Sequence, residues 1–113
     1  MATDNTGAET SVTANPGQFT IAVEGRQVGL IDFVDHDGQR IFLHTEVDEA
    51  FGGRGLASIL VAEALSATRD AGLRIVAVCE MVAGYLDKHH DFADIVDPIT
   101  TDTKRFLQQV QSG

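Results

Sequence analysis

Two side chains of this sequence have the chemistry to act near neutral pH, His44 and Cys79. A histidine can accept or donate a proton at that pH, and a cysteine becomes a nucleophile when a nearby base helps to deprotonate its thiol. His44 lies in an alternating segment and Cys79 ends an apolar run. Structural roles remain open for both, as a half-buried histidine bonded to backbone and as a small core residue.

A glycine-rich segment between a predicted strand and a predicted helix is the third chemical feature. It reads Phe-Gly-Gly-Arg-Gly-Leu-Ala-Ser over residues 51–58. Glycine allows positive φ and close approach of a ligand to the backbone, and the first N–H groups of a helix point outward without intrahelical acceptors. The segment therefore predicts a phosphate or pyrophosphate site, with a plain turn as the alternative.

Two well-known phosphate loops do not fit this segment. A Walker-type loop requires Lys and then Ser or Thr after its last glycine, whereas Gly55 is followed by Leu56 and Ala57. A dinucleotide fingerprint requires a preceding βαβ unit, and the strands predicted before the segment are linked by hairpins.

Three antiparallel strands are predicted ahead of the glycine-rich segment, because apolar residues alternate and turn residues separate the runs. The predicted strands span residues 19–23, 27–34 and 40–47. Strict alternation in the third strand places Phe42, His44 and Glu46 on one face. The other face then carries Ile41, Leu43, Thr45 and Val47.

The second half of the chain changes to helical spacing. Predicted helices span residues 54–71, 81–89 and 101–110, and a buried strand spans residues 73–79. The order β-β-β-α-β-α-α predicts an α+β (mixed α/β) fold with one central sheet and flanking helices. Residues 1–17 are polar and are predicted to be a disordered tail, which leaves residues 18–113 as one domain.

Charge and cysteine content exclude several classes of function. Eight basic residues against seventeen acidic ones give a net charge of −9, which disfavours binding to nucleic acid or to anionic membranes. One cysteine excludes an internal disulfide framework. No metal site is predicted, because the adjacent His89 and His90 read as a solvated helix end. With neither a signal peptide nor a long apolar run, a cytoplasmic protein is expected.

The segment Gly52-Gly-Arg-Gly-Leu-Ala57 resembles the acetyl-CoA pyrophosphate loop of the GNAT acetyltransferases. Their motif is Arg or Gln, two residues, Gly, one residue, and then Gly or Ala. Gly55 and Ala57 match its last two positions. Gly52 stands where a long polar side chain is usual, so the sequence departs from the family at that position.

Several further segments are similar to the small, single-domain GNAT-like N-acetyltransferases. The resemblance extends from residue 19 to about residue 97. The matching segments are His44-Thr-Glu-Val47, Gly53-Arg-Gly-Leu-Ala57, Val76-Ala-Val-Cys79, Val82-Ala-Gly-Tyr-Leu86 and His89. Two departures lie at Glu80-Met81, where Pro and an aromatic residue usually follow the cysteine, and at His90, where Pro is common.

The resemblance implies a GNAT-like fold, acetyl-CoA as cofactor, and transfer of acetyl to an unidentified amine such as a small amine, a polyamine or a lysine side chain. It places His44 and Cys79 beside the acetyl group, for direct transfer or for transfer through an acetyl-cysteine. Arg69 and Arg74 are candidates for the 3′-phosphate of CoA. The implied contacts to CoA are Val47, Gly52, Gly53, Arg54, Gly55, Leu56, Ala57 and Ser58.

Two other functions remain open at the level of the sequence. One is a non-catalytic acyl-CoA-binding or regulatory module, which the departures at Gly52 and at Glu80-Met81 favour. The other is a small protein-interaction domain in which the glycine-rich segment serves only the turn.

Overall fold

A six-stranded sheet forms the centre of the computed structural model, which describes the backbone of residues 2–3, 7–52 and 55–112 and the side chains of residues 7–52 and 55–109. The strands lie in chain order, with antiparallel pairings up to β5 and a parallel pairing of β5 with β6. They are β1 Ala2–Thr3, β2 Glu9–Asn15, β3 Gln18–Val23, β4 Arg26–His36, β5 Gln39–Val47 and β6 Arg74–Ala77.

Helices cover both faces of this sheet. They are α1 Leu56–Asp70, α2 Glu80–Lys88 and α3 Thr101–Ser112, with 3-10 turns at Glu49–Phe51 and Ala93–Ile95. The larger core, on the α1 side, includes Ile21, Ile31, Phe42, Leu60 and Leu65. The smaller core, on the α3 side, includes Ile41, Val76 and Leu107. The predicted fold class is confirmed. Within the described part of the chain, no helix is long and apolar enough to cross a membrane.

The alternation predicted for the first core strand is also observed. Phe19, Ile21 and Val23 are all buried in the larger core. The parallel strand β6, by contrast, is shorter than predicted and ends at Ala77. The chain leaves the sheet after this residue. The next two backbone N–H groups, of Val78 and Cys79, both donate to the carbonyl of Phe42 on β5.

A β-bulge in β5 decides which way His44 points. Asp32 pairs with His44, but the next residue of β4 pairs with Phe42, so Leu43 is an extra residue on β5. Such an insertion reverses the alternation beyond it. Phe42 and Val47 consequently share the α1 side, and His44 lies on the opposite face. The predicted grouping of Phe42 with His44 is therefore wrong.

The N-terminal segment differs from its prediction. Residues Glu9–Asn15 form β2 and pair with β3 over six register positions, from Thr10↔Val23 to Asn15↔Gln18. Thr10 is buried, and Val12 packs against the larger core. β-branched residues at alternate positions favour a pleated, half-buried strand. Pairing with β3 offsets the conformational entropy that the segment loses when it becomes ordered, a loss that its composition alone predicted to be too large. Residues 1 and 4–6 of the predicted tail lie outside the described residues.

Deletion of residues 1–17 is therefore expected to destabilise the protein. Loss of the buried contacts of Thr10 and Val12 should lower the free energy of unfolding by about 2 kcal/mol and the melting temperature by roughly 8 °C or more. Deletion of residues 1–6 is the matched control and should have a much smaller effect, since β2 is kept. Equal melting temperatures for the full chain and the 1–17 deletion would contradict a structural role for β2.

Two arginines tie the segment after α2 to the rest of the fold. Arg69 bonds Asp94 at 2.6 Å and Arg74 bonds Asp97 at 2.7 Å. Gln39 also donates to Asp97 at 2.8 Å. This hydrogen bond, together with Arg74, holds the pKa of Asp97 below its usual value despite partial burial. Both arginines are engaged locally, which argues against their predicted role at the CoA phosphate.

Candidate active site

The strands β5 and β6 separate where the two predicted catalytic residues lie. Their pairing ends at Phe42↔Ala77. Beyond it the carbonyl oxygen of Phe42 accepts hydrogen bonds from the N–H groups of Val78 (3.1 Å) and Cys79 (2.9 Å). From there to Val47, β5 is paired with β4 but no longer with β6, so the edge that faced β6 now faces an opening. The opening, here called the splay cavity, has a volume of about 380 Å³ and is lined by Leu43, His44, Thr45, Val78, Cys79, Glu80 and Met81.

Cys79 enters the splay cavity from the start of α2. It is the residue that immediately precedes the helix, and it is 8% exposed. Its Sγ lies 3.1 Å from Oγ1 of Thr45, and either atom can be the donor. Thr45 is not among the functional residues predicted from the sequence, because strict alternation assigns it to the face of Ile41 and Leu43. Only the bulge brings it to Cys79.

His44 lines the same cavity from the opposite face of β5. Its Nε2 lies 3.0 Å from Oε1 of Glu46, and both side chains are more than half exposed. Asp32 is the cross-strand neighbour of His44, and Gln18 donates to Asp32 at 3.0 Å. The fold thus brings His44 and Cys79 to one cavity, with two carboxylates on the His44 side.

The start of α1 is where the sequence predicts an anion site. Gly55 precedes the helix with φ = +78°, and among the residues that the structure describes no side chain caps the helix N-terminus. The first amide N–H groups of a helix lack intrahelical acceptors, and the side chain of Leu56 anchors this end of the helix in the core. The remaining predicted contacts Val47, Gly52, Ala57 and Ser58 lie on β5, in the connecting segment and on α1, whereas Gly53 and Arg54 lie outside the described residues.

A second cavity lies between α1 and α2 and is called here the interhelix groove. It has a volume of about 230 Å³ and is lined by Ala57, Ser58, Val61, Met81, Gly84, Tyr85, Lys88 and His89. Met81 also lines the splay cavity, so the two cavities are neighbours.

Two aromatic rings form one wall of the interhelix groove. Tyr85 and His89 stack with ring centroids 4.3 Å apart. Burial, and secondarily the charge of Asp91, raise the pKa of Tyr85 above its ordinary value. Tyr85 and Lys88, which line the groove, are not among the residues predicted from the sequence. Their spacing from Met81 by four and seven residues is the signal that places all three on one helix face.

Solved structures share this fold. A GCN5-like protein from Staphylococcus aureus, determined by NMR in solution, superposes with a TM-score of 0.62 over 80% of this chain and 91% of that chain, at 22% sequence identity. The crystal structure of Ard1 from Thermoplasma volcanium superposes with a TM-score of 0.50 over 66% of this chain and 54% of that chain, at 25% identity.

Comparison of sequences extends this result. An S-adenosylmethionine:tRNA ribosyltransferase-isomerase from Nitrobacter winogradskyi is 35% identical over 95 residues, which is 80% of this chain. The chain spans only about a quarter (26%) of the length of that relative. The sequence profile of GCN5-related N-acetyl-transferases matches residues 18–95, which is more than half of the chain. The chain therefore belongs to the family of GCN5-related N-acetyltransferases.

Proposed function

We propose that the protein is an acetyl-CoA-dependent N-acetyltransferase whose acceptor is an amine. The observation that carries the proposal is the splay cavity, which a histidine and a cysteine from separate elements line together. The neighbouring interhelix groove borders the start of α1 at Ala57 and Ser58. Acetyl-CoA supplies an activated acetyl thioester. Its binding requires a phosphate site, an extended channel and a reaction cavity, and the described residues fit each of these.

The start of α1 is the proposed pyrophosphate site. The N–H groups of Ala57 and Ser58 belong to the first turn, where a helix attracts anions. From there the proposed path of the ligand passes Met81, which borders both the interhelix groove and the splay cavity. The edge of β5 beyond Phe42 faces the cavity and offers backbone groups to an extended ligand, as a neighbouring strand would.

His44 is the proposed general base. An amine that is protonated in solution must lose a proton before it can attack a thioester, and an imidazole within hydrogen-bond reach can accept it. The contact of Nε2 with Glu46 leaves Nδ1 as the nitrogen available to the acceptor. Glu46, which contacts the imidazole, and Asp32, the cross-strand partner of His44, carry negative charge on this side of the strand, which favours an approaching cationic amine.

Replacement of Gly55 by valine is expected to weaken CoA binding roughly tenfold or more. The positive φ of Gly55 is unfavourable for a β-branched residue, and a side chain there occupies space that a phosphate must enter. Isothermal titration calorimetry measures the dissociation constant.

Gly72→Val is the matched control for this prediction, because Gly72 has φ = +74° and follows the far end of α1. It should lower stability by a similar amount, about 1–3 kcal/mol, without changing CoA affinity. A folded Gly55→Val variant that binds CoA as tightly as the wild type would contradict the proposed phosphate site.

Transfer itself is tested with isotopically labelled acetyl-CoA and a panel of small amines, polyamines and lysine peptides. Label in an amine product is the expected result. Binding of CoA without transfer to any member of the panel would favour an acyl-CoA-binding module. The absence of both transfer and a CoA-induced change in melting temperature would favour a protein-interaction domain.

A further inference from the structure

We propose that the interhelix groove binds the 3′-phosphate end of CoA, with Lys88 and His89 as its ligands. The inference rests on the proposed binding of acetyl-CoA and adds a subsite that distinguishes CoA from its 3′-dephospho form. Three observations carry it: the charge of the groove, its position relative to the splay cavity, and its open floor.

Lys88 gives the interhelix groove its positive charge. Among the described residues that line the groove and the splay cavity, Lys88 is the only lysine or arginine. Arg69 and Arg74, the sequence-based candidates for the 3′-phosphate, instead bond Asp94 and Asp97. In a protein of net charge −9, a phosphate dianion requires such a local cation to offset repulsion from the rest of the surface.

The length of α2 separates Lys88 from Cys79, which lines the splay cavity. Cys79 immediately precedes this helix and Lys88 is its last residue. At a rise of 1.5 Å per residue the two positions are about 13 Å apart along the axis. One extended ligand can therefore have its thioester beside Cys79 and its phosphate end beside Lys88, while it passes Met81 between them.

His89 is held in place by contacts that leave its ring at the groove. Its backbone N–H donates to the carbonyl of Tyr85 at 2.9 Å, and its ring stacks on the Tyr85 ring. An imidazole N–H can donate to a phosphate oxygen in either tautomer. The hydroxyl of Ser58, on α1, is a further donor on the opposite wall.

Gly84 keeps the floor of the groove open. A Cβ atom added at this position would meet no heavy atom within 4 Å. A larger side chain at residue 84 would therefore enter the groove rather than the core. This residue offers a steric test that is independent of charge.

The experiment compares CoA with 3′-dephospho-CoA by titration calorimetry. The wild type should bind CoA roughly tenfold more tightly, since a charge-assisted hydrogen bond to phosphate corresponds to at least such a factor. Lys88→Gln should remove this preference and leave the affinity for 3′-dephospho-CoA unchanged. Gly84→Leu should weaken binding of both ligands.

Lys104 is an exposed lysine on α3. The variant Lys104→Gln is therefore the charge-matched control and should preserve the preference for CoA over 3′-dephospho-CoA. Equal binding of the two ligands by the wild type would overturn the 3′-phosphate subsite and leave the proposed function standing. A preference that survives in Lys88→Gln, or full affinity in a folded Gly84→Leu variant, would also overturn it. Failure of the wild type to bind either ligand would overturn both proposals.

Discussion

Replacement of His44 by alanine is expected to lower kcat roughly 10²–10⁴-fold while the dissociation constant of CoA stays unchanged. The imidazole contacts Glu46 and lines the splay cavity, but it is more than half exposed. Its removal therefore leaves the core and the proposed phosphate site intact. Steady-state kinetics with a responsive amine and calorimetry with CoA separate the two quantities.

A double-mutant cycle tests whether Glu46 acts through His44. Glu46→Ala alone should lower kcat, and it should add little when His44 is already alanine, because residues that act as a unit are non-additive. His90→Ala is the matched control, an exposed histidine after α2 that should retain full activity. A His44→Ala variant with wild-type turnover would remove His44 from the mechanism and leave only the cofactor site.

The sequence predicted the central strands and α1 well because burial follows their periodicity closely. Alternation with a period of two is enough to assign Phe19, Ile21 and Val23 to the core, and all three are buried. The faces of β5 were not predictable in the same way. The bulge at Leu43 is a shift in the pairing of β5 with β4, and a strand's own residues do not reveal such a shift.

The same limit explains the N-terminal strand and the interhelix groove. Residues 9–15 are too polar to fold alone, and β2 forms because the edge of β3 is available to it. Lys88 and His89 are exposed at the end of α2, as predicted, but the groove that they line becomes visible only when α1 is placed opposite them. Local composition describes a segment in isolation, whereas these features depend on contacts between segments distant in sequence.

Incubation with acetyl-CoA alone is expected to add one acetyl group to Cys79. In that step the bond between Sγ and the acetyl carbon forms, the thioester bond to CoA breaks, and the thiol proton leaves with free CoA. Thr45, 3.1 Å from Sγ, can hydrogen-bond the sulfur as it reacts. Intact-mass spectrometry should find close to one acetyl group per chain in the wild type and none in Cys79→Ala.

Variants at the same contact distinguish a covalent role from a packing role. Thr45→Val keeps the volume and removes the hydroxyl, so it should slow acetylation of Cys79 while the melting temperature changes little. Cys79→Ser places a hydroxyl at a position that is only 8% exposed, where Thr45 remains as a partner, so any loss of stability should be modest. An unacetylated wild type, together with an active Cys79→Ala variant, would indicate direct transfer from acetyl-CoA to the amine. Cys79 would then be a core residue that shapes the cavity, and His44 would remain the only proposed catalytic side chain.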